Sequence, residues 1–177
     1  RYARTEINKI EGLYAFGKEL IDNEGIYDFD ETKLGIKVSN LGITGFDVYG
    51  ILRDEYNIQV EFGDINNILA LITIGDNKKT VDRLIEALKD ISQKYKSDNK
   101  IKSYIDLIEH NVVISPRQAF YNKKEVVKLE DSVDRTCGEH IMVYPPGIPI
   151  VTPGEIITHE MMKYIQFLKK QDVSLTG

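Results

Sequence analysis

The chain has 177 residues, of which 42% are hydrophobic, so it can build the core of one domain of ordinary size. Its net charge of −5 argues against a nucleic-acid-binding surface, because phosphate recognition needs a clustered basic face. No apolar run approaches the roughly 20 residues of a membrane-spanning helix, and the single cysteine, Cys137, fits the reducing cytoplasm in which we expect the protein to act.

Residues 1–24 are predicted to form a helical segment. Apolar side chains recur there at the spacing of one helix face, at Ala3, Ile7, Ile10 and Tyr14. No Ser, Thr, Asp or Asn precedes them as a cap, so we expect the chain to begin inside a helix and to be a fragment of a longer protein. The same four residues are then candidates for an exposed apolar patch against which a missing domain docks.

Residues 25–96 are predicted to form a β-α-β-β-α core. Apolar and polar residues alternate over residues 34–38 and 58–62, which is typical of half-buried strands. The run at residues 68–74 is almost entirely apolar and rich in β-branched side chains, which predicts a central strand covered on both faces.

Two helices of this core have recognisable first turns. Thr44 and Asp47 form a capping-box pattern before a helix that extends to Tyr56. Asp76 or Asn77 caps the second helix. Its predicted apolar stripe consists of Val81, Leu84, Ile85, Leu88, Ile91 and Tyr95.

Residues 97–177 follow a polar hinge and are predicted to form a strand-and-loop region with a closing helix. Isoleucines at helical spacing predict a short helix over residues 101–108, and brief apolar bursts predict strands at 126–127, 141–143 and 148–151. The apolar stripe of the closing helix consists of Ile157, Met161, Ile165 and Leu168.

The start of the closing helix has two candidate caps, Thr152 and Thr158. We favour Thr158, with Pro153 and Gly154 forming a turn before it. The order of elements predicts an α+β fold in two layers. Its sheet is mainly antiparallel with helices packed on one face, followed by the Pro-rich strand/loop region and the closing helix.

Four of the five prolines fall between residues 145 and 153. Each proline fixes its own φ and removes a backbone donor, so the loop at residues 144–149 is stiff. Composition alone slightly favours a rigid connector between a strand and a helix. The alternative is a wall or a lid against which another group is held.

Few residues offer chemistry of their own. Cys137 lies near His140 in sequence, but no orienting Asn or Asp is evident, which favours a small buried cysteine over a nucleophile. The three histidines lack ligand spacing, so no metal site is expected. Arg135 lies among several acids, which favours an internal ion pair over a grip on a carboxylate or phosphate ligand.

Several stretches together resemble the C-terminal part of the bacterial ornithine/lysine/arginine decarboxylases, and most closely the shorter arginine decarboxylase-like members. The resemblance covers essentially the whole chain. It is carried by Ser115-Pro116-Arg117-Gln118-Ala119-Phe120-Tyr121, Leu129-Glu130-Asp131-Ser132-Val133-Asp134-Arg135, Tyr144-Pro145-Pro146-Gly147-Ile148-Pro149 and Pro153-Gly154-Glu155-Ile156-Ile157-Thr158.

The resemblance implies a pyridoxal-phosphate enzyme with an aspartate-aminotransferase-like fold, of which this chain lacks the larger N-terminal domain. The family binds the cofactor through a lysine that follows a histidine, and no lysine of this chain does so. We therefore expect the isolated chain to hold no pyridoxal phosphate, to contain no catalytic residue and to be inactive. The intact enzyme is expected to be a dimer or larger homo-oligomer that converts arginine, lysine or ornithine to agmatine or a diamine.

The resemblance also implies that this region closes one side of the active site, with the proline loop as a rigid wall. It further implies that an acidic side chain binds the distal cation of the substrate. Asp134 departs from the family, which usually has Gly there. A Gly could adopt positive φ, which Asp tolerates only at some cost, so the conformation of this turn and the direction of Arg135 stay open. The candidates for the substrate pocket are Glu130, Asp131, Arg135, Glu139, Tyr144, Pro145, Pro146 and Gly147.

A second interpretation remains open from the residues themselves. The generic β-α-β-β-α arrangement would also suit a free-standing α+β module that binds an amino acid or a polyamine, because a fold of this kind does not determine function.

Overall fold

The computed structural model describes residues 1–95, 101, 108–144, 147–170 and 175–176. The chain divides into two units, Arg1–Ser103 (unit 1) and Tyr104–Gly177 (unit 2). The described strands pair only antiparallel, and helices accompany them in both units, so the predicted α+β class is confirmed. The division of the chain after residues 24 and 96 stays a prediction.

Unit 1 is built from one sheet and the helices that cover it. Its elements are α1 (Tyr2–Ile7), β1 (Tyr14–Ala15), β2 (Lys33–Lys37), α2 (Gly45–Tyr56), β3 (Phe62–Gly63), β4 (Asn67–Leu71) and α3 (Lys78–Tyr95). The sheet has the strand order β1-β2-β4-β3. Alternate residues of its central strands, such as Ile36 and Ile68, are buried in one hydrophobic cluster with Leu52 of α2 and Leu88 of α3. The helices therefore cover one face of the sheet, as predicted.

The prediction for the first helix is wrong beyond Ile7. Helix α1 ends there because the side chain of Asn8 turns to the next segment and accepts a hydrogen bond from Ala15 N–H at 2.6 Å. Tyr14 consequently lies in β1, opposite Lys37 of β2.

The predicted docking patch on this segment is wrong for Ala3, Ile7 and Ile10, whereas its fourth residue, Tyr14, lies in β1 and is only partly buried. Ala3 is 7% exposed and Ile7 is completely buried, because both belong to the hydrophobic cluster of unit 1. Ile10 is partly buried and packs against the same cluster. These side chains therefore contribute to the core of unit 1 and do not present an apolar surface to another domain.

The two longer helices of unit 1 begin as the sequence predicts. Thr44 Oγ1 accepts a hydrogen bond from Asp47 N–H, and the carboxylate of Asp47 accepts one from Thr44 N–H, which completes a capping box. Asn77, and not Asp76, caps α3, since its side-chain oxygen accepts hydrogen bonds from Lys79 N–H and Thr80 N–H. Each of these caps satisfies backbone donors that the first turn of a helix leaves free.

Two strand predictions in unit 1 need correction. The strand predicted at residues 58–62 is limited to β3, Phe62–Gly63. The strand predicted over residues 68–74 is β4, whose side chains alternate between buried and accessible positions, and Leu71 is 40% exposed. Only one face of β4 is covered by the core, so the expectation of a strand covered on both faces was wrong.

Unit 2 contains shorter elements joined by longer loops. Its elements are α4 (Pro116–Tyr121), β5 (Ile141–Val143), β6 (Ile148–Val151), α5 (His159–Lys170) and β7 (Leu175–Thr176). The strands form a sheet in the order β6-β5-β7. The buried apolar side chains of α5 include Met161, Ile165 and Leu168, which confirms three positions of its predicted stripe.

Other predictions for unit 2 have mixed outcomes. Thr158 is the cap of α5, since its hydroxyl accepts a hydrogen bond from Met161 N–H at 3.2 Å. Residues 126–127 form no strand, and Val126 is fully exposed. Helix α4 was not predicted, although Ser115 and Gln118 form a capping box at its start. The helix predicted over residues 101–108 lies mostly outside the described residues.

Candidate functional site

Residues 153–157 form the centre of unit 2. They lie between residues 111–114 on one side and residues 134–137 on the other, and backbone hydrogen bonds of 2.7–3.3 Å join them to both. The shortest of these bonds runs from Cys137 N–H to the carbonyl oxygen of Glu155. Segments that are far apart in sequence, and that carry parts of the family resemblance, therefore meet here.

Gly154 is the residue that permits this close approach. Its φ is +97°, a conformation that other residues adopt only with strain. A Cβ atom at this position would lie 2.2 Å from the carbonyl oxygen of Ile114. The Pro-Gly pair in the motif is thus explained by backbone geometry, and it makes the turn between β6 and α5.

Glu155 is a carboxylate with little exposure to solvent that the sequence analysis did not single out. The residue is 7% exposed, and its Oε2 atom accepts a hydrogen bond from Thr152 N–H at 2.8 Å and lies 3.1 Å from His110 Nδ1. Burial acts to raise the pKa of Glu155, but the hydrogen bonds from Thr152 and His110 outweigh it and lower the pKa below its ordinary value. The carboxylate therefore stays ionised while it holds the turn closed.

One sequence signal could have revealed Glu155. The pattern from Thr152 to Glu155 was treated as one of two capping patterns for α5. In the structure the glutamate accepts a hydrogen bond from Thr152 N–H, which is half of a capping box, although no helix follows directly. His110 offered no comparable signal, because it lies 45 residues away in sequence.

Asp134 and Arg135 form a tight turn beside the central segment. The sequence left the conformation of this turn open. Asp134 has a φ of +62°, a backbone conformation that glycine adopts freely and that Asp adopts only at some cost. Its N–H donates to Ile157 O, and the N–H of Ile157 donates to Arg135 O, so both residues are fixed through their backbones. The guanidinium of Arg135 forms an ion pair with Glu125, as the sequence favoured over a grip on a ligand.

Cys137 is buried in this structure. It is 5% exposed, and burial raises the pKa of its thiol above the ordinary value. The thiol donates a hydrogen bond to the carbonyl oxygen of Glu139. These properties agree with the prediction of a small buried cysteine and disfavour a thiolate nucleophile.

A groove of about 760 Å³ lies next to this turn. Its floor is apolar and includes Ile141 and Ile157, while two ion pairs lie at its rim: Arg135 with Glu125, and Lys124 with Glu139. The volume is in the range of small-molecule sites, and the combination of apolar floor and a few charged groups is typical of them.

The predicted pocket residues are only partly brought together. Arg135 and Glu139 line the groove. Glu130 and Asp131 are exposed in the short 3-10 turn Leu129–Asp131 and do not line it. Tyr144, which is 62% exposed, and Gly147, with a φ of +89°, lie in the loop between β5 and β6. Pro145 and Pro146 lie outside the described residues.

The described lysines do not suit a Schiff base with pyridoxal phosphate. Apart from the half-buried Lys37 they are exposed, whereas a lysine nucleophile of this kind needs a lowered pKa. At Lys78 and Lys94, the hydrogen bonds that the ammonium groups donate to neighbouring side chains raise the pKa. The lysines of the described part of the chain thus do not fit the cofactor.

Metal binding and membrane insertion find no support in the described part of the chain. No group of three His, Cys, Asp or Glu side chains there could hold a metal ion. None of the helices described is both long enough and apolar enough to cross a bilayer.

The motifs at this site can be compared with those of known proteins. Residues 99–177 match the family described as "Orn/Lys/Arg decarboxylase, C-terminal domain". Among curated proteins, it is 47% identical to an arginine decarboxylase of Halalkalibacterium halodurans, over 99% of this chain. It is also 42% identical to an arginine decarboxylase of Bacillus subtilis, over 92% of this chain. The resemblance drawn from the sequence is therefore confirmed.

Solved structures agree at the level of the fold. A lysine decarboxylase from Francisella novicida matches 99% of the chain with a TM-score of 0.69 and 20% identity. The constitutive lysine decarboxylase of Escherichia coli matches with the same TM-score and 18% identity. The chain spans only about a third of the length of these relatives, with 36% of the H. halodurans enzyme and 37% of the E. coli structure covered.

Proposed function

We propose that the chain is the C-terminal part of a longer arginine decarboxylase. The observation that carries the proposal is the 47% identity to an arginine decarboxylase over 99% of this chain. Lysine decarboxylases are more distant, with 27% identity for an inducible enzyme of E. coli. Arginine is therefore the first substrate to test, followed by lysine and ornithine.

The remainder of the proposal concerns the intact enzyme. It would bind pyridoxal phosphate in a larger domain that precedes residue 1, act in the cytoplasm and assemble as a dimer or larger homo-oligomer. The cofactor would supply the electron sink for loss of the carboxylate. The isolated chain would then be inactive, since it lacks the His-Lys pair of the family.

The role proposed for unit 2 is to close one side of the active site. The loop between β5 and β6 is stiffened by its prolines and by a hydrogen bond of 2.8 Å from Gly147 N–H to Val143 O. Such a loop can exclude water from the reacting centre without a large loss of entropy. Among the acids considered for the distal cation of the substrate, Glu139 is favoured because it borders the groove.

A chimeric enzyme tests the proposal. This chain replaces the 178 aligned residues of the H. halodurans arginine decarboxylase, and release of CO₂ from arginine is measured with pyridoxal phosphate present. We expect activity from the chimera and none from the isolated chain. A well-folded chimera that releases no CO₂ from any of the three amino acids would contradict the assignment.

Two tyrosines provide a matched pair for the role of the loop. Tyr144 is 62% exposed and lies in the loop, and Tyr121 is 76% exposed and ends α4. In the chimera, Tyr144→Ala is expected to lower kcat/KM about tenfold, equivalent to about 1.4 kcal/mol of transition-state stabilisation, whereas Tyr121→Ala leaves it unchanged. Equal effects of the two substitutions would remove the support for an active-site wall.

The isolated chain also tests the alternative of a free-standing binding module. Its thermal unfolding midpoint is measured with and without arginine, lysine or agmatine. A clear upward shift would favour a binding module, because a ligand of the native state stabilises it by mass action.

A further inference from the structure

The sheet of unit 1 has a second face that none of the described helices of the unit covers. The helix-facing side of β2 and β4 carries Leu34, Ile36, Ile68 and Ala70, which are buried in the hydrophobic cluster. The side chains between them in sequence point the other way, because successive residues of a strand alternate between faces. We call this second side the open face.

The open face is unusually apolar along its middle row. Gly35 of β2 lies opposite Leu69 of β4, and Leu69 lies opposite Phe62 of β3. The ring of Phe16 lies over Gly35, where an added Cβ would come within 2.9 Å of it. An apolar row thus crosses the whole width of the sheet.

Two further side chains extend this row. Tyr14 stacks edge-on against Phe16, with ring centroids 5.3 Å apart. Leu71 continues the open face along β4 and is 40% exposed. A sheet face that meets water normally carries polar residues at these positions. Lys33, Lys37 and Asn67 lie on the same face beside the apolar row, and an apolar surface bordered by polar residues is typical of an interaction site.

The position of residue 1 indicates what covers this face. Arg1 forms an ion pair of 3.0 Å with Glu31, and the guanidinium of Arg4 donates a hydrogen bond of 2.7 Å to Lys33 O. Lys33 lies opposite Leu71 in the sheet. Arg1 therefore lies at the end of the sheet where Leu71 is exposed, which is where a preceding segment would enter.

We propose that the open face is the docking surface for the polypeptide that precedes residue 1 in the longer enzyme. This inference rests on the proposed function. It is supported by the length of the relatives, of which this chain covers only 34–36% among the four arginine decarboxylases. The partner surface is apolar, in keeping with the row made by Phe16, Leu69 and Phe62.

Hydroxyl-radical footprinting tests the proposal directly. The isolated chain and the chimera are labelled under identical conditions, and oxidation of each side chain is read by mass spectrometry. In the chimera, labelling of Leu71 and Phe62 is expected to fall at least about fivefold, since the centre of an interface is fully excluded from solvent. Ile74 is fully exposed and lies just beyond β4, so its labelling should stay unchanged. Equal labelling of Leu71 in both proteins would overturn the proposal.

A pair of variants of the chimera provides a second measurement. Leu71→Glu is expected to restore labelling of Phe62 and Leu69 at least severalfold, because a charge cannot be buried in the apolar contact. Ile74→Glu introduces the same charge three residues away and should restore none. Restoration of equal size in both variants would show that Leu71 does not lie in the contact.

Three outcomes separate this inference from its alternatives. If labelling of Leu71 in the isolated chain falls as the protein concentration rises, and the chain dimerises, a second copy is the occupant and the proposal is overturned. If the chimera decarboxylates arginine while Leu71 stays fully labelled, the docking surface is wrong but the proposed function stands. Protection of Leu71 in an inactive chimera supports docking and counts against the proposed function alone.

Discussion

The two units of this chain are stabilised in different ways. Unit 1 has one hydrophobic cluster, which is formed by side chains of its sheet and of its amphipathic helices. The longest of the described helices is α3. The centre of unit 2 is a backbone network around residues 153–157, with a buried carboxylate at Glu155 and a glycine that admits no side chain. Apolar periodicity therefore specifies the first unit, whereas special backbone positions specify the centre of the second.

The largest expected effect is a core truncation in unit 1. Leu88 is completely buried in the hydrophobic cluster, and Leu88→Ala should destabilise unit 1 by about 2–5 kcal/mol through lost burial and a residual cavity. Hydrogen exchange of peptides from residues 78–95, combined with urea unfolding, measures the change. Ile74→Ala is the control, because Ile74 is fully exposed and should change stability by less than about 0.5 kcal/mol. Similar effects of both substitutions would show that the cluster is not the main source of stability.

The corresponding test in unit 2 is Gly154→Ala. We expect a loss of about 3 kcal/mol, because positive φ and a contact with Ile114 O act together. Gly25→Ala is a matched control, since Gly25 also has positive φ but nothing within 4 Å of an added Cβ, and it should cost only about 1 kcal/mol. Exchange rates of peptides containing residues 111–114 and 134–137 report the change. Equal costs at both glycines would mean that the contact of an added Cβ with Ile114 O does not destabilise unit 2.

The carboxylate of Glu155 should make the stability of unit 2 depend on pH. Because the pKa of Glu155 is lower in the folded state, the folded state binds fewer protons. The carboxylate therefore contributes stability above the unfolded pKa of about 4.3, and this is lost as pH falls through the lower folded value. Glu155→Gln should cost about 1–2 kcal/mol at pH 7, and the difference from the wild type should shrink below about pH 4.

The measurement for Glu155 is urea unfolding of the wild type and the variant between pH 3 and 7, with exchange of unit 2 peptides. The control is Glu139→Gln, which removes a carboxylate that is 69% exposed. A wild-type pH profile that coincides with that of Glu155→Gln would refute a stabilising role for the ionised carboxylate.

The smallest expected effect is the difference in stability lost when each of the two capping boxes is removed. Thr44 is 3% exposed, so Thr44→Ala should cost about 1–2 kcal/mol in unit 1. Ser115 caps the six-residue helix α4 at an exposed site, and Ser115→Ala should cost about 0.5–1 kcal/mol in unit 2. Thermal unfolding midpoints of both variants measure the difference. A larger cost at Ser115 would show that unit 2 depends on its helix cap more than unit 1 does.

The success of the predictions from the sequence also differs between the two units. The period of the apolar residues predicted α2, α3 and the alternation in β2, because one face of each is buried in a continuous core. It failed at Tyr14, where Asn8 ends the helix through a contact with Ala15 that no periodicity reveals. It failed again at β4, because a run of apolar residues cannot show which face of a strand the helices leave uncovered.

The candidate site was predictable mainly through the resemblance. The ion pair of Arg135 and the burial of Cys137 were anticipated from single residues and their neighbours. The turn at Asp134, which has a positive φ, was left open by the sequence. The contact of His110 with Glu155 was not, since two residues 45 positions apart give no local pattern. The prediction of a wall around Tyr144 stays a prediction.

The arrangement around residues 153–157 has a consequence for biosynthesis. The paired strands of unit 1 end at residue 71, and its last described helix ends at Tyr95. Residues 111–114, by contrast, find their hydrogen-bonding partners only after residue 156 has left the ribosome. Nascent chains should therefore acquire protease resistance in two stages, with an interval in which the amino-terminal part is already folded and the following fifty or so residues still await their partner.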